Sequence, residues 1–296
     1  MKYLYRVLPL ALSVGLFGCG SPSTQDNATG SATTAPTENK EDFVSQLPAS
    51  APVVKLSADA NYAPYGFKDE YGNVTGFDIE LMRHLGEDQG FRVEVYSDLW
   101  KDAFDNIDNK SRDLIAAGAS YSDARASKYL TSDSYLPLPT SIVYLDEALN
   151  IGSLSDLSNV SVGVLGESVQ YNYFTQGDFN VQSVEPYPTI FLAVQAMAQG
   201  KIDAVAGDLG VMRYIMNDLP TLEPKFFDYE SLDADNARKV IYIDKDQPEL
   251  LEKVNSGLKS LKENGTYATL TTKWFGEDLT QKSLEQQEML KSASGL

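Results

Sequence analysis

The sequence predicts an α/β protein of two similar lobes that face a shared cleft. Three observations carry this. Over residues 53–119, runs of strand length alternate with segments of helical period, in the order strand, helix, strand, helix, strand. Residues 160–208 repeat strand, helix, strand. The last strands of the two stretches also correspond. RDLIAAG and IDAVAGD each carry an Asp at the start (Asp113, Asp203), and five residues on the chain reaches Gly118 in one and Asp208 in the other.

Taken in order, VVKLSADA (53–60) opens the body as a strand. NYAPYGF and a turn at DEYGN follow. In GFDIELMRHLGEDQG, Ile79, Met82 and Leu85 recur at helical spacing, and Gly86 or Gly90 stops the helix. FRVEVYS (91–97) alternates like a strand, DLWKDAFDNID (98–108) reads as a helix, and RDLIAAGA (112–119) as a buried strand. In the second half, VSVGVLGES (160–168) is a strand running into a Gly-Glu-Ser turn. TIFLAVQAMAQG (189–200) is a helix and KIDAVAGD (201–208) a short buried strand. Near the end, Leu251, Val254, Leu258 and Leu261 share one helical face, with a turn at Asn264-Gly265 and a second short helix beyond. Residues 277–296 are polar and read as a helical or frayed tail.

Composition narrows the functions. The chain is 43% hydrophobic and 22% charged, which suits a globular body. A formal net charge of −18 argues against nucleic acid and anionic membrane surfaces as partners, and reads as solubility. The single cysteine, Cys19, rules out an intramolecular disulfide or a thiolate cluster. The single histidine, His84, sits within the first helix and reads as a packed or solvated helix residue. With no second histidine, the usual zinc and Ser-His-Asp arrangements have no material, so no metal or cofactor is expected.

The N-terminus reads as an address. A basic start, MKYLYR, precedes VLPLALSVGLF, an apolar run of 11 residues. That is too short to span a bilayer but right for a signal-peptide core. It runs into Leu16-Phe17-Gly18-Cys19, which resembles a bacterial lipobox, with Phe17 bulkier than is usual there. Residues 1–19 are thus expected to be a lipoprotein signal ending at a lipid-modified Cys19. Residues 20–50, rich in Ser, Thr, Ala, Asn and Pro, are expected to be a flexible tether. The body would then work outside the cytoplasm, periplasmic or at the cell surface, held to a membrane by its lipid.

In open α/β sheets, ligands lie beyond the carboxyl ends of the strands. That rule points to four stretches: 58–65, 117–125, 165–170 and 207–209. One of them poses a question. Ser122 reads as a helix N-cap, which places Arg125 in a first helical turn, where the macrodipole already favours anions over cations. An anion from elsewhere would make the placement worthwhile.

ADANYAPYGF, GNVTGFDIELM, DLWKDAF, DLIAAGASYSDARASKYLTSDSY, IDAVAGD and NGTYATLTTKWFG, in that order, resemble the extracytoplasmic polar-amino-acid-binding proteins of ABC importers (solute-binding protein family 3), over about residues 53–276. The resemblance implies a two-lobed periplasmic-binding-protein fold of type II, hinged by two crossing strands. Lobe 1 would span 51–138 plus 235–276, lobe 2 139–234, and the tail 277–296. It implies a non-catalytic, monomeric protein that hands an L-amino acid to the transmembrane subunits of a permease.

Carried over by position, Arg125 clamps the ligand's α-carboxylate, which a guanidinium fork suits. Ser120 adds its N–H and hydroxyl, and Val169 a backbone N–H. Gly118 offers its carbonyl and Asp208 its carboxylate to the α-ammonium. Tyr62 and Trp100 sandwich the side chain, and Asp59 stands where an aspartate meets a cationic one. In LGESVQY, Glu167 and Val169 interrupt the Gly-Ser/Thr-Thr run of many relatives. Asp59 and the aromatic pair favour arginine, lysine or a related basic amino acid, with glutamine, histidine or cystine next. No spare basic residue is evident for a second carboxylate, which counts against glutamate and aspartate. Two other classes share the fold: dehydratases acting on prephenate-like acids, for which Glu167 is the unusual acid, and ligand-sensing subunits.

Overall fold

The computed structural model describes residues 43–177 and 180–294. Cys19, the signal-like segment and most of the expected tether lie outside the described residues. In chain order the principal elements are β1 (Val53–Asp59), α1 (Phe77–Gln89), β2 (Arg92–Asp98), α2 (Trp100–Asp108), β3 (Leu114–Ile115), α3 (Asp123–Ala126), β4 (Leu130–Thr131), β5 (Leu136–Pro137) and β6 (Thr140–Tyr144). Then come β7 (Ser161–Leu165), α4 (Val169–Gln176), β8 (Ser183–Tyr187), α5 (Ile190–Ala198), β9 (Ala204–Asp208), α6 (Leu209–Asn217), β10 (Lys225–Asp228), β11 (Arg238–Lys239), β12 (Tyr242–Ile243), α7 (Pro248–Glu263), α8 (Thr266–Phe275) and α9 (Thr280–Ser294). A small antiparallel ribbon occupies 61–75.

Two five-stranded sheets form the two lobes. The first has the order β2-β1-β3-β12-β4 and the second β8-β7-β9-β6-β10. In each, three parallel strands are followed by two added antiparallel ones. The chain leaves the first sheet through β5 and returns through β11. These pair antiparallel, with Leu136 opposite Lys239, so two crossing strands connect the lobes.

The elements form for reasons visible in their residues. On α1, Ile79, Met82 and Leu85 are all fully buried. Gly90, at φ 77°, is the stop, and its N–H donates to the carbonyl of Gly86. On α7, Val254, Leu258 and Leu261 are buried with Leu250, while Leu251 is half-buried at the edge. Gly257 lets α7 close on α1, since a Cβ there would lie 2.5 Å from Cγ of Leu85. The strands β7 and β9 are apolar throughout their buried centres, as strands covered on both faces must be.

Three expectations are modified. The strand expected over 112–119 pairs in the sheet only at Leu114–Ile115. The chain then turns away at Gly118, φ 59°, whose N–H donates to the buried carboxylate of Asp78 at 2.7 Å instead of to a neighbouring strand. The end of the expected tether docks on α1. Phe43 meets the ring of His84 edge-on at 5.1 Å, and the Ser45 hydroxyl and Gln46 N–H donate to Glu87 at 2.7 and 2.8 Å. The polar tail is a packed helix, with Leu279, Ser283 and Gln286 fully buried. Gln286 accepts from the Ser134 hydroxyl and donates to the carbonyls of Leu232 and Ala237. A side chain that looks solvated in sequence thus satisfies backbone ahead of β11 and the Ser134 hydroxyl ahead of β5.

Candidate ligand-binding site

The carboxyl ends of the strands converge on one cavity of about 20 Å³, room for about one water molecule. Asp59, Tyr62, Trp100, Gly118, Ser120, Arg125, Val169 and Asp208 all line it. Asp59 closes β1, Trp100 opens α2, the 118–125 segment follows β3, Val169 opens α4, and Asp208 closes β9. Each of the four stretches singled out by the strand-end rule contributes to the wall.

Arg125 is placed by its helix cap. The Ser122 hydroxyl accepts the Arg125 N–H at 3.3 Å. The guanidinium is partly buried, with its carbon 4.9 Å from the Trp100 ring centre and 5.0 Å from that of Phe104. Its nitrogens donate to backbone, to Ser120 O at 3.5 Å and across the cleft to Glu167 O at 3.4 Å. Among the described residues no carboxylate is within ion-pair reach of it. Burial holds its pKa below the usual arginine value, opposed by Tyr242.

Asp208 is the opposite case. Its Oδ2 accepts from the Tyr62 hydroxyl at 2.6 Å, and its Oδ1 pairs with Lys239 Nζ. Lys239 is fully buried on β11 and also donates to the Ser120 hydroxyl at 2.8 Å. Lys239 therefore links a residue of each lobe. Tyr62 stacks on Tyr65, centres 5.6 Å apart at 15°. Burial, then the Asp208 charge, holds the Tyr62 hydroxyl well above the usual phenol range, so it is a donor.

Asp59 accepts from the Asn61 N–H at 2.9 Å and from its amide at 3.3 Å. Burial raises its pKa against the pull of those bonds. Below Gly118, burial pushes Asp78 up to about 7, although the Gly118 N–H and the Tyr135 hydroxyl, at 2.7 and 3.0 Å, favour its charged form. Gly118 has no substitute here: a Cβ would lie 2.6 Å from the Tyr65 ring.

From lobe 2, the N-terminus of α4 faces the cavity. Ser168 caps it, its hydroxyl accepting from the Tyr171 N–H at 3.1 Å. Gln170 is buried and donates to the Thr140 hydroxyl at 3.1 Å. Glu167 adopts φ 58°, a left-handed turn that favours glycine, and its side chain is exposed. The carbonyl of Glu167 takes part in the site, accepting from Trp100 Nε1 and from Arg125, both at 3.4 Å.

The stretch 165–170 held Ser168 and Gln170 without singling either out, and sequence reading missed Lys239 altogether. Lys239 is a further basic residue behind the wall, and it is already engaged by Asp208 and Ser120 rather than spare for a second carboxylate. Its signal was a lone lysine at the head of the apolar run KVIYI. Its direction depends on β11 being a crossing strand, which the run does not reveal. Among the described residues no cluster of histidine, cysteine and carboxylates is placed to hold a metal ion.

Comparison with known proteins places this geometry. The family model for bacterial extracellular solute-binding proteins, family 3, matches residues 54–277. A probable histidine-binding protein of Neisseria gonorrhoeae is 25% identical over 243 residues, covering 78% of this chain and 87% of that protein. The L-cystine-binding protein TcyA of Bacillus subtilis is 26% identical over 231 residues, covering 77% and 83%. The structure of an ancestral arginine-binding protein bound to arginine superposes with a TM-score of 0.69 at 28% identity, covering 75% of this chain and 98% of that one.

Proposed function

This chain belongs to the bacterial extracellular solute-binding proteins of family 3, and we propose that its cleft captures an L-amino acid for an ABC permease. The observation that carries the reading is Arg125. It is a guanidinium in the cavity wall, framed by aromatic rings, with two backbone carbonyls and the Tyr242 hydroxyl as partners and no carboxylate paired with it among the described residues. A carboxylate is the partner its fork fits. Ser120 and the N–H groups opening α4 add donors for the same anion.

The ligand's ammonium lies toward the Gly118 carbonyl and Asp208, and its side chain between Tyr62 and Trp100 toward Asp59. The arrangement favours arginine, lysine or a related basic amino acid. The cavity is too small for any of these as it stands, so entry needs the lobes to part about β5 and β11. Contacts drawn from both lobes then favour the closed form. The protein acts as a monomer, without catalysis, and docks on the permease's transmembrane subunits. Cys19, which lies outside the described residues, carries a lipid that holds it to the membrane.

The test is a thermal-shift panel of L-amino acids, with ornithine, citrulline and cystine, on refolded protein. A ligand that binds only the native state raises the melting temperature by mass action. A shift confined to arginine, lysine or ornithine supports the basic pocket. A shift with glutamine, histidine or cystine keeps the Arg125 clamp and removes the basic preference. Absence of any shift removes the reading. Arg125→Ala is expected to weaken the best ligand about 100-fold, since hydrogen bonds to charged groups contribute about 1.5–3 kcal/mol each.

A further inference from the structure

The two charges that the cleft offers to an amino acid are not equally available. Arg125 meets two backbone carbonyls and the Tyr242 hydroxyl, and no carboxylate among the described residues. Asp208 already accepts at both oxygens, from Tyr62 at one and from Lys239 at the other. Lys239 is not a surface lysine that can swing away. Its side chain is wholly buried, its strand pairs with β5, and its carbonyl accepts the Tyr135 N–H at 2.9 Å. Nζ stands between Ser120 and Asp208, the residues assigned above to the ligand's carboxylate and ammonium.

An α-ammonium arriving at Asp208 would have to share an acceptor with this resident ammonium. Two like charges a few ångströms apart in a site shielded from water repel strongly. A ligand with no amine meets no such conflict, and it leaves Asp208 paired rather than orphaned. An oxygen on the α-carbon is attracted by the same cation that would repel an ammonium. Of the charged residues, Arg125, Asp59 and Asp208 line the cavity, and Lys239 stands behind Ser120 and Asp208, where it balances Asp208 and leaves Arg125 for the carboxylate.

We propose that Lys239 is a built-in counter-ion that makes the ligand's α-ammonium dispensable, so that the cleft also binds carboxylates carrying an oxo or hydroxyl group in place of the α-amine. The inference rests on the Arg125 clamp.

The experiment is calorimetry on the refolded protein with matched pairs: L-arginine, L-glutamine and L-phenylalanine, each against the 2-oxo acid of the same carbon skeleton. A site built around a ligand's own N–H donors rejects the analogue lacking them by about 10⁴-fold. Here the oxo acid of the tightest pair is expected to bind within about tenfold of the amino acid, or more tightly. In Lys239→Met the oxo acid is expected to lose more affinity than its amino acid does. An oxo acid weaker than its amino acid by more than about tenfold in the unmutated protein overturns the inference and leaves the clamp standing. Absence of binding by every member of every pair and by every amino acid of the thermal-shift panel brings down the clamp and the inference together. The comparison in the unmutated protein decides even if the variant fails to fold.

Discussion

The two lobes hold the starts of β3 and β9 in the same way and finish them differently. In lobe 1 the Asp113 carboxylate accepts the Lys55 N–H of β1 at 2.7 Å, and the Asp113 N–H donates back to Lys55 O at 3.0 Å. In lobe 2 the Asp203 carboxylate accepts the Ser161 N–H of β7 at 2.8 Å and its hydroxyl at 2.6 Å, and the Asp203 N–H donates to Ser161 O at 3.1 Å. Five residues on the symmetry ends. At Gly118 the chain has left its sheet in a left-handed turn, whereas Asp208 is still paired with Thr140 of β6. Asp208 precedes α6 without capping it, so its carboxylate is left for Tyr62 and Lys239. The strand starts answer a backbone hydrogen-bonding need that both sheets share, and one residue type solves it twice. The strand ends are where the lobes take separate roles.

Substitutions at the strand ends should break the comparison most. Asp208→Ala removes one partner of a buried ion pair and is expected to cost about 3–5 kcal/mol of folding stability. Adding Lys239→Met should recover most of it, and a urea-melt double-mutant cycle reads the coupling. Additive losses would show that the two do not act as a pair. Gly118→Ala is expected to cost about 2–3 kcal/mol, because the new Cβ enters the Tyr65 ring at a φ that disfavours side chains.

The support beneath Gly118 adds a pH dependence of its own. Asp78 titrates at about 7 in the folded protein, above the ordinary carboxylate value near 3.9. The folded state therefore holds a proton that the unfolded state releases. This contribution is fully present below about pH 4 and is lost as pH rises through about 7, with a slope of at most about 1.4 kcal/mol per pH unit. Chemical denaturation at several pH values should show a flatter curve for Asp78→Asn. An unchanged curve would assign the dependence elsewhere. The smallest effect belongs to the shared feature. Asp113→Ala and Asp203→Ala are each expected to cost about 1–2 kcal/mol and to add. A large excess for Asp113, which also accepts from Gln247 at 2.8 Å, would show that the α7 contact outweighs the strand latch.

Much of the site could be read from the chain because its signals are local. The Ser122 cap sits three residues before Arg125, and the strand ends lie a fixed distance beyond Asp113 and Asp203. Glu167 shows the limit. As a residue type it suggests a rim charge or an acid. In the fold its carbonyl does the bonding, because the left-handed turn aims that group at Trp100 and Arg125. Gln286 shows the same limit in the tail, where a polar helix reads as solvated until its amide is found against the backbone ahead of β11.

The sequence by itself determined the alternation of strands and helices, the doubled α/β plan, the capped arginine and the four strand ends that line the cleft. All of these follow from periodicity, caps and turns spanning a few residues. Only the tertiary structure decided that Arg125 has no carboxylate partner among the described residues while Asp208 is already matched. That difference depends on Ser120, Asp208 and Lys239 meeting at one nitrogen. No short-range pattern reports such a meeting, because residues so far apart in the chain come together only when two strands cross between two finished sheets.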